Sequence, residues 1–71
     1  MLRVAIVGTG VISDAHILGY LNFPERCRIV ALCDIYPEKA RKKKETYGLE
    51  ADVVEDYKTL LSRDDIDLVS V

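Results

Sequence analysis

The stretch Val4-Ala5-Ile6-Val7-Gly8-Thr9-Gly10-Val11-Ile12-Ser13, VAIVGTGVIS at positions 4–13, decides the fold. Four apolar residues, three of them β-branched, run without interruption into Gly-Thr-Gly. A continuous apolar run of this kind reads as a strand covered on both faces, which implies helices above and below it. The segment after the glycines, 11–23, is too long for a strand and stops before Pro24, so the spacing predicts a helix. Ala15 and Gly19 lie four apart on one face of that helix. They are expected to let its axis approach the sheet closely, with Ile12 and either Asn22 or Phe23 extending the contact.

Working outward, RIVALCD is a second apolar run, and it ends in Asp34. Pro37 stands where a first helical turn begins, EKARKKKETY supplies helix-forming residues, and Gly48 supplies a C-terminal stop. ADVV is a short third strand, Asp56 an N-cap for a helix over YKTLLS, and the polar turn RDDID leads into a fourth strand, LVSV. The order is β-α-β-α-β-α-β. Strands alternating with helices through short connections argue for a parallel sheet with right-handed crossovers. The expected class is therefore α/β, a partial Rossmann-like doubly wound sheet with strand order 3-2-1-4. In that order the fourth strand has an open outer edge. Marginal stability or self-association is expected unless further chain covers it.

Composition agrees with one small folded unit. The chain has 71 residues, 49% hydrophobic and 31% charged, the balance of a globular protein with a core. A formal net charge of −2 provides no field for nucleic acid or an acidic membrane surface, so neither partner is expected. No basic leader or long apolar segment follows Met1, which makes a cytoplasmic location the expectation. Cys27 and Cys33 fall in one strand, CRIVALCD. At a rise of about 3.3 Å per residue they would stand roughly 20 Å apart, beyond the roughly 7 Å that a disulfide spans. They are expected to be small buried apolar groups, and no metal-ligand spacing is present.

The glycines suggest chemistry. Backbone N–H groups at a helix N-terminus can hold a pyrophosphate if the chain turns sharply out of the strand and no side chain blocks the approach. Gly8 would make the turn, Gly10 would leave room for the phosphates, and Ser13 occupies the third position, where glycine allows close helix-strand packing. Asp34, about 20 residues after Ser13 at the end of the second strand, can accept hydrogen bonds from ribose hydroxyls. The candidate binding residues are Gly8, Thr9, Gly10, Val11, Ile12, Asp34 and Ile35, with Ile35 packing on the adenine and Tyr36 flanking it. A carboxylate at Asp34 repels a 2′-phosphate, so NAD is the expected cofactor ahead of NADP, although Lys39 and Arg41 lie close in sequence.

Other features read as structural. Successive helical residues advance by about 100°, so RKKK at 41–44 spreads around its helix as a solvated surface, helped by Glu38 four residues before Lys42. His16 is the only histidine; it is expected to pack or hydrogen-bond, with no catalytic role.

The segments VAIVGTGVISDAH, IVALCDIYPEKARKKKETYG and DYKTLLSRDDIDLVSV together resemble the N-terminal domain of the glucose-fructose oxidoreductase, inositol dehydrogenase and rhizopine-catabolism family (Gfo/Idh/MocA), over essentially the whole chain. The resemblance implies an NAD- or NADP-binding domain, with a second α/β domain supplying the substrate pocket and much of a homo-oligomer interface. Gly8 and Gly10 match the phosphate-loop glycines, Ser13 the variable third position, and Asp34 the ribose-binding acid. His16 matches a position where many members also have histidine. Tyr36 departs from the small polar residue that usually caps the second helix. The family's Ala-Thr-Pro segment and its Glu-Lys-Pro motif with the catalytic lysine would fall beyond Val71. Residues 1–71 are thus expected to be the N-terminal part of a dinucleotide-binding domain without catalytic residues. A small-molecule substrate, a sugar, polyol or related alcohol, would be met only by a longer parent. Two alternatives remain open: an S-adenosylmethionine-binding methyltransferase domain, and a non-catalytic module that senses the dinucleotide.

Overall fold

The computed structural model describes residues 1–8 and 11–70, with side chains in the first helix described from Asp14 onward. Among the described residues seven elements alternate: β1 (Leu2–Val7), α1 (Val11–Leu21), β2 (Cys27–Cys33), α2 (Pro37–Tyr47), β3 (Asp52–Val54), α3 (Tyr57–Leu61) and β4 (Leu68–Ser70). The strands form one parallel sheet in the order β3-β2-β1-β4. Both the element order and the strand order follow the sequence reading.

The sheet has two apolar faces. Val4, Ile6, Ile29 and Leu32 pack with Ile17 of α1 and Ala40 of α2, while Ala5, Ala31, Cys33 and Val54 pack with Leu60 of α3. Helices α1 and α2 therefore lie on one side and α3 on the other, because the chain reverses its direction across the sheet when it passes from β3 to β4. Ile17, Leu32 and Val4 are completely buried, and each such side chain contributes about 1.5–3 kcal/mol through the apolar surface it withdraws from water.

Strand β2 breaks strict alternation. Val4 pairs with Ile29 but Ala5 pairs with Ala31, so Val30 is an extra residue in the ladder. Ile29 and Leu32, three apart, consequently share the α1/α2 side. Such a bulge inserts one residue and bends the strand locally.

Two helix ends form as their residues suggest. Gly48, at φ +62°, closes α2: its own N–H reaches Glu45 O and the N–H of Leu49 reaches Lys44 O at 2.9 Å. This pair of bonds satisfies carbonyls that the helix leaves open. The Asp56 carboxylate accepts the Lys58 N–H at 2.9 Å and caps α3.

Helix α1 differs from expectation. It ends at Leu21, and residues 22–26 turn toward β2. Among its described side chains Ile17 is the buried one, supported by half-buried Tyr20, whereas Ala15, Gly19, Asn22 and Phe23 are exposed; Ile12 lies outside the described side chains. The preference for a large β-branched side chain in the sheet groove outweighs the closer approach that two small residues would allow.

Polar contacts fix the strand ends. Asp67 accepts from Arg3 N at 2.9 Å, Arg3 Nε at 3.0 Å and Arg3 Nη2 at 3.1 Å, and its own N–H donates to Arg3 O at 2.7 Å. These bonds pin the start of β4 to the start of β1. The guanidinium holds the Asp67 carboxyl down at about 2. Arg63 joins Asp65, two residues on, to Asp52 at the start of β3 through its Nη2, 3.1 Å from Asp52 Oδ2. Among the described residues no helix is long and apolar enough to cross a membrane.

Candidate functional site

The strand order reverses between β1 and β4, and in open α/β sheets ligands settle in the crevice outside the carboxyl ends of the strands at such a point. Gly8 stands at the end of β1 on that crevice. Its φ is +81°, a left-handed conformation that L side chains rarely adopt, and a Cβ placed there would have no atom within 4 Å. The backbone turn demands glycine, and the space beside it is open, as a cradle for a ligand requires. The Gly8 N–H donates to Cys33 O at 2.8 Å, so the loop leaves β1 locked to the end of β2. Thr9 and Gly10 lie outside the described residues. Val11 and Ile12 open α1, three and two residues before Asp14; their side chains, like that of Ser13, also lie outside what is described.

Asp34 follows β2 directly, on the strand adjacent to β1. Its N–H donates to Val54 O at 3.1 Å, which ties it to the end of β3. Its Oδ1 accepts the Tyr36 N–H at 2.8 Å. Tyr36 is the N-cap of α2 without any side-chain cap bond, and Pro37 begins the helix. The carboxylate is thus held at the strand end by the backbone two residues on. Beside it Ile35 is 73% exposed and Tyr36 56% exposed, an apolar pair displayed to water next to an acid. The Lys39 ammonium stands 5.1 Å from the centre of the Tyr36 ring, within the range of a cation–π contact.

Two groups of polar contacts made by α1 were not read from sequence. Asp14, in the first turn of α1, accepts from Lys43 Nζ at 2.5 Å and from the Tyr47 hydroxyl at 2.9 Å. Both donors lie on α2, so the Lys43 charge is engaged and not simply solvated as the RKKK run suggested. Hydrogen bonding by Lys43 and then Tyr47 lowers the Asp14 pKa, and the same bond raises that of Tyr47. The Asp14 carboxylate, in the first turn of α1, thus stays ionised, paired with Lys43 and engaged by α2. These partners are 29 and 33 residues apart, so no local spacing signals them. His16, in the second turn, has its Nδ1 2.8 Å from Ser70 Oγ of β4. Hydrogen bonding is the role its sequence position suggested.

The cysteines are both free. Cys33 is buried, which pushes its thiol up, whereas Cys27 is only half-buried, short of the full burial expected. Among the described residues no cluster of three potential metal ligands occurs.

An open parallel sheet of order 3-2-1-4, with a left-handed glycine and an acid at the ends of neighbouring strands, defines a nucleotide-binding α/β domain. Residues 2–71 match the oxidoreductase family GFO_IDH_MocA, NAD-binding Rossmann fold, and the chain belongs to that family. Inositol 2-dehydrogenase of Salmonella typhimurium is 31% identical over 70 residues, which cover 99% of this chain and 21% of that relative. Myo-inositol dehydrogenase from Lactobacillus casei, solved with NAD(H) and myo-inositol, superposes with a TM-score of 0.89 at 35% identity, over 97% of this chain and 20% of that one. A 3-ketoreductase from Actinomadura kijaniata, solved with NADP and TDP-benzene, gives 0.78 at 29% identity, over 96% of this chain and 20% of its own. The chain thus spans about a fifth of the length of these relatives. They bind NAD in one case and NADP in another, and membership in this family argues against the methyltransferase reading.

Proposed function

We propose that this chain is the adenine- and pyrophosphate-binding part of an NAD-dependent dehydrogenase acting on a polyol or sugar. The observation that carries the reading is the juxtaposition of Gly8 and Asp34 on adjacent strand ends, joined through the Gly8–Cys33 hydrogen bond. Gly8, whose own lack of a side chain leaves space beside it, leads toward the start of α1, where Gly10, Val11 and Ile12 would present backbone N–H groups to the phosphates. Thr9 belongs to the same loop. Asp34 would accept the adenosine ribose hydroxyls. A carboxylate accepts up to about four hydrogen bonds, so the bond from Tyr36 N–H is compatible with that role. Ile35 and Tyr36 would flank the adenine.

The preference for NAD over NADP rests on charge. A 2′-phosphate would approach the Asp34 carboxylate, and Lys39, in the first turn of α2, stands against the Tyr36 ring. The cofactor supplies hydride acceptance at its nicotinamide. Taking the alcohol proton needs a general base in near-attack geometry, and no residue of 1–71 is assigned that role. It belongs, with the substrate pocket, to a second domain in a longer parent. The inositol dehydrogenases among the relatives support a polyol substrate, and a cytoplasmic setting is part of the same proposal.

An amide-resolved NMR titration with NAD, then NADP, then S-adenosylmethionine tests this. Shifts from Gly8 to Ser13 and around Asp34 with NAD, much smaller with the other two, are the expected result. Equal shifts with NADP would remove the cofactor preference. A dispersed spectrum that ignores all three would overturn the binding reading while leaving the fold intact.

A further inference from the structure

Strand β4 is one edge of the sheet. Leu68 is 40% exposed and Val69 and Ser70 are half-buried, so apolar packing alone holds this strand weakly. Two polar contacts on opposite ends make up for it. Arg3 and Asp67 fasten its amino end to β1. At its carboxyl end Ser70 lies beside Ile6 in the ladder and meets His16 of α1, Nδ1 to Oγ at 2.8 Å. The first contact is remote from the crevice between β1 and β4. The second forms its floor, because it joins the strand on one side of the crevice to the helix that begins just after Gly8.

His16 is held on the helix side by its neighbour. Ile17 is completely buried in the α1/α2 core, which leaves the second turn of α1 little freedom to slide or rotate. A hydrogen bond from this turn to the end of β4 therefore transmits the position of the helix to the strand. The helix start and the strand end are the two walls between which the pyrophosphate and the groups beyond it would lie.

We propose that His16 and Ser70 are positioning residues, a clasp that sets the distance between the start of α1 and the carboxyl end of β4 and thereby pre-forms the dinucleotide crevice. The proposal rests on the dinucleotide reading above. Neither side chain is required to touch the cofactor. The ring nitrogen that matters is Nδ1, which the amide of asparagine can replace in position, whereas the longer glutamine places its amide near Nε2.

The test measures NAD affinity by calorimetry for the unmodified chain and for His16→Ala, Ser70→Ala, the double variant, His16→Asn and His16→Gln. Removing either partner is expected to weaken NAD roughly two- to tenfold, the worth of one neutral hydrogen bond. The double variant should be no weaker than the single ones, and His16→Asn should recover most of the loss where His16→Gln does not. As a readout independent of NAD, the ¹⁵N shift of His16 Nδ1 should change in Ser70→Ala without nucleotide present. Failure of the unmodified chain to bind NAD while its amide spectrum is dispersed overturns the dinucleotide reading and the clasp with it. NAD binding that is untouched by His16→Ala and Ser70→Ala, additive losses, or recovery by His16→Gln alone overturns the clasp and leaves the dinucleotide reading standing.

Discussion

Replacing Gly8 by alanine separates what the backbone needs from what a ligand needs, because Gly48 supplies a matched control. Both glycines have positive φ, +81° and +62°, and neither would bring a Cβ within 4 Å of another atom. The folded chain therefore has room for either methyl group, and the penalty is conformational. An L-residue in the left-handed region costs about 1–2 kcal/mol, and alanine also stiffens the unfolded chain, which returns about 0.4–1 kcal/mol. The net loss should be about 1 kcal/mol in each variant, read from urea unfolding followed by far-ultraviolet circular dichroism. Binding should divide them. In Gly8→Ala the methyl group enters the open space beside the loop and displaces a phosphate from a backbone donor. A charge-assisted bond is worth about 1.5–3 kcal/mol, so the NAD dissociation constant should rise roughly ten- to a hundredfold. Gly48→Ala, at the far end of α2, should leave it unchanged. Equal NAD affinities in the two variants would refute the placement of the phosphates at Gly8. A loss of several kcal/mol in Gly8→Ala stability would refute the claim that the space beside it is open.

Three further outcomes follow from the same contacts. Asp34→Asn keeps an acceptor for the Tyr36 N–H while removing the charge, so the ratio of NAD to NADP affinity should fall roughly tenfold or more by calorimetry, since facing like charges cost several kcal/mol. Ile17→Ala should destabilise the chain by about 2–5 kcal/mol, whereas Leu18→Ala, at a position 50% exposed, should stay within about 1 kcal/mol; comparable losses in urea would contradict the assigned helix face. The Asp67 carboxyl is lowered from 3.8 to about 2 by Arg3, so its stabilising contribution is complete above the unfolded value and disappears as pH falls through the folded one. Acid titration of stability should steepen between about pH 4 and pH 2, and Asp67→Asn should flatten that window.

The positions of the candidate residues Gly8 and Asp34 at strand ends were legible because their signals are local. Gly8 follows an apolar run directly, and the need for a left-handed residue between a strand and a helix is a property of the backbone at one position. Asp34 ends the second apolar run, Asp56 caps by bonding two residues ahead, and Gly48 stops a helix within two residues of its own position. The Asp14–Lys43–Tyr47 contacts and the His16–Ser70 bond were not legible. Their partners lie between 29 and 54 residues apart, and they meet only because α1 is laid across the sheet beside α2 and over the end of β4. Tyr36 shows the same division: its poor fit as a cap is visible in the residue itself, but the turn that Asp34 makes with its N–H appears only with the chain folded.

By itself the sequence determined the alternation of strands and helices, the turn at Gly8, the acid at the second strand end and the parallel order 3-2-1-4, since apolar runs, caps and left-handed positions act over a few residues. Tertiary structure alone decided which face of α1 is buried, the bulge at Val30 that turns Ile29 and Leu32 to the same side, and the polar bonds that fasten β4. Those choices depend on how side chains from separate elements share one closely packed space, and no periodicity within a single element encodes the shape of its neighbour.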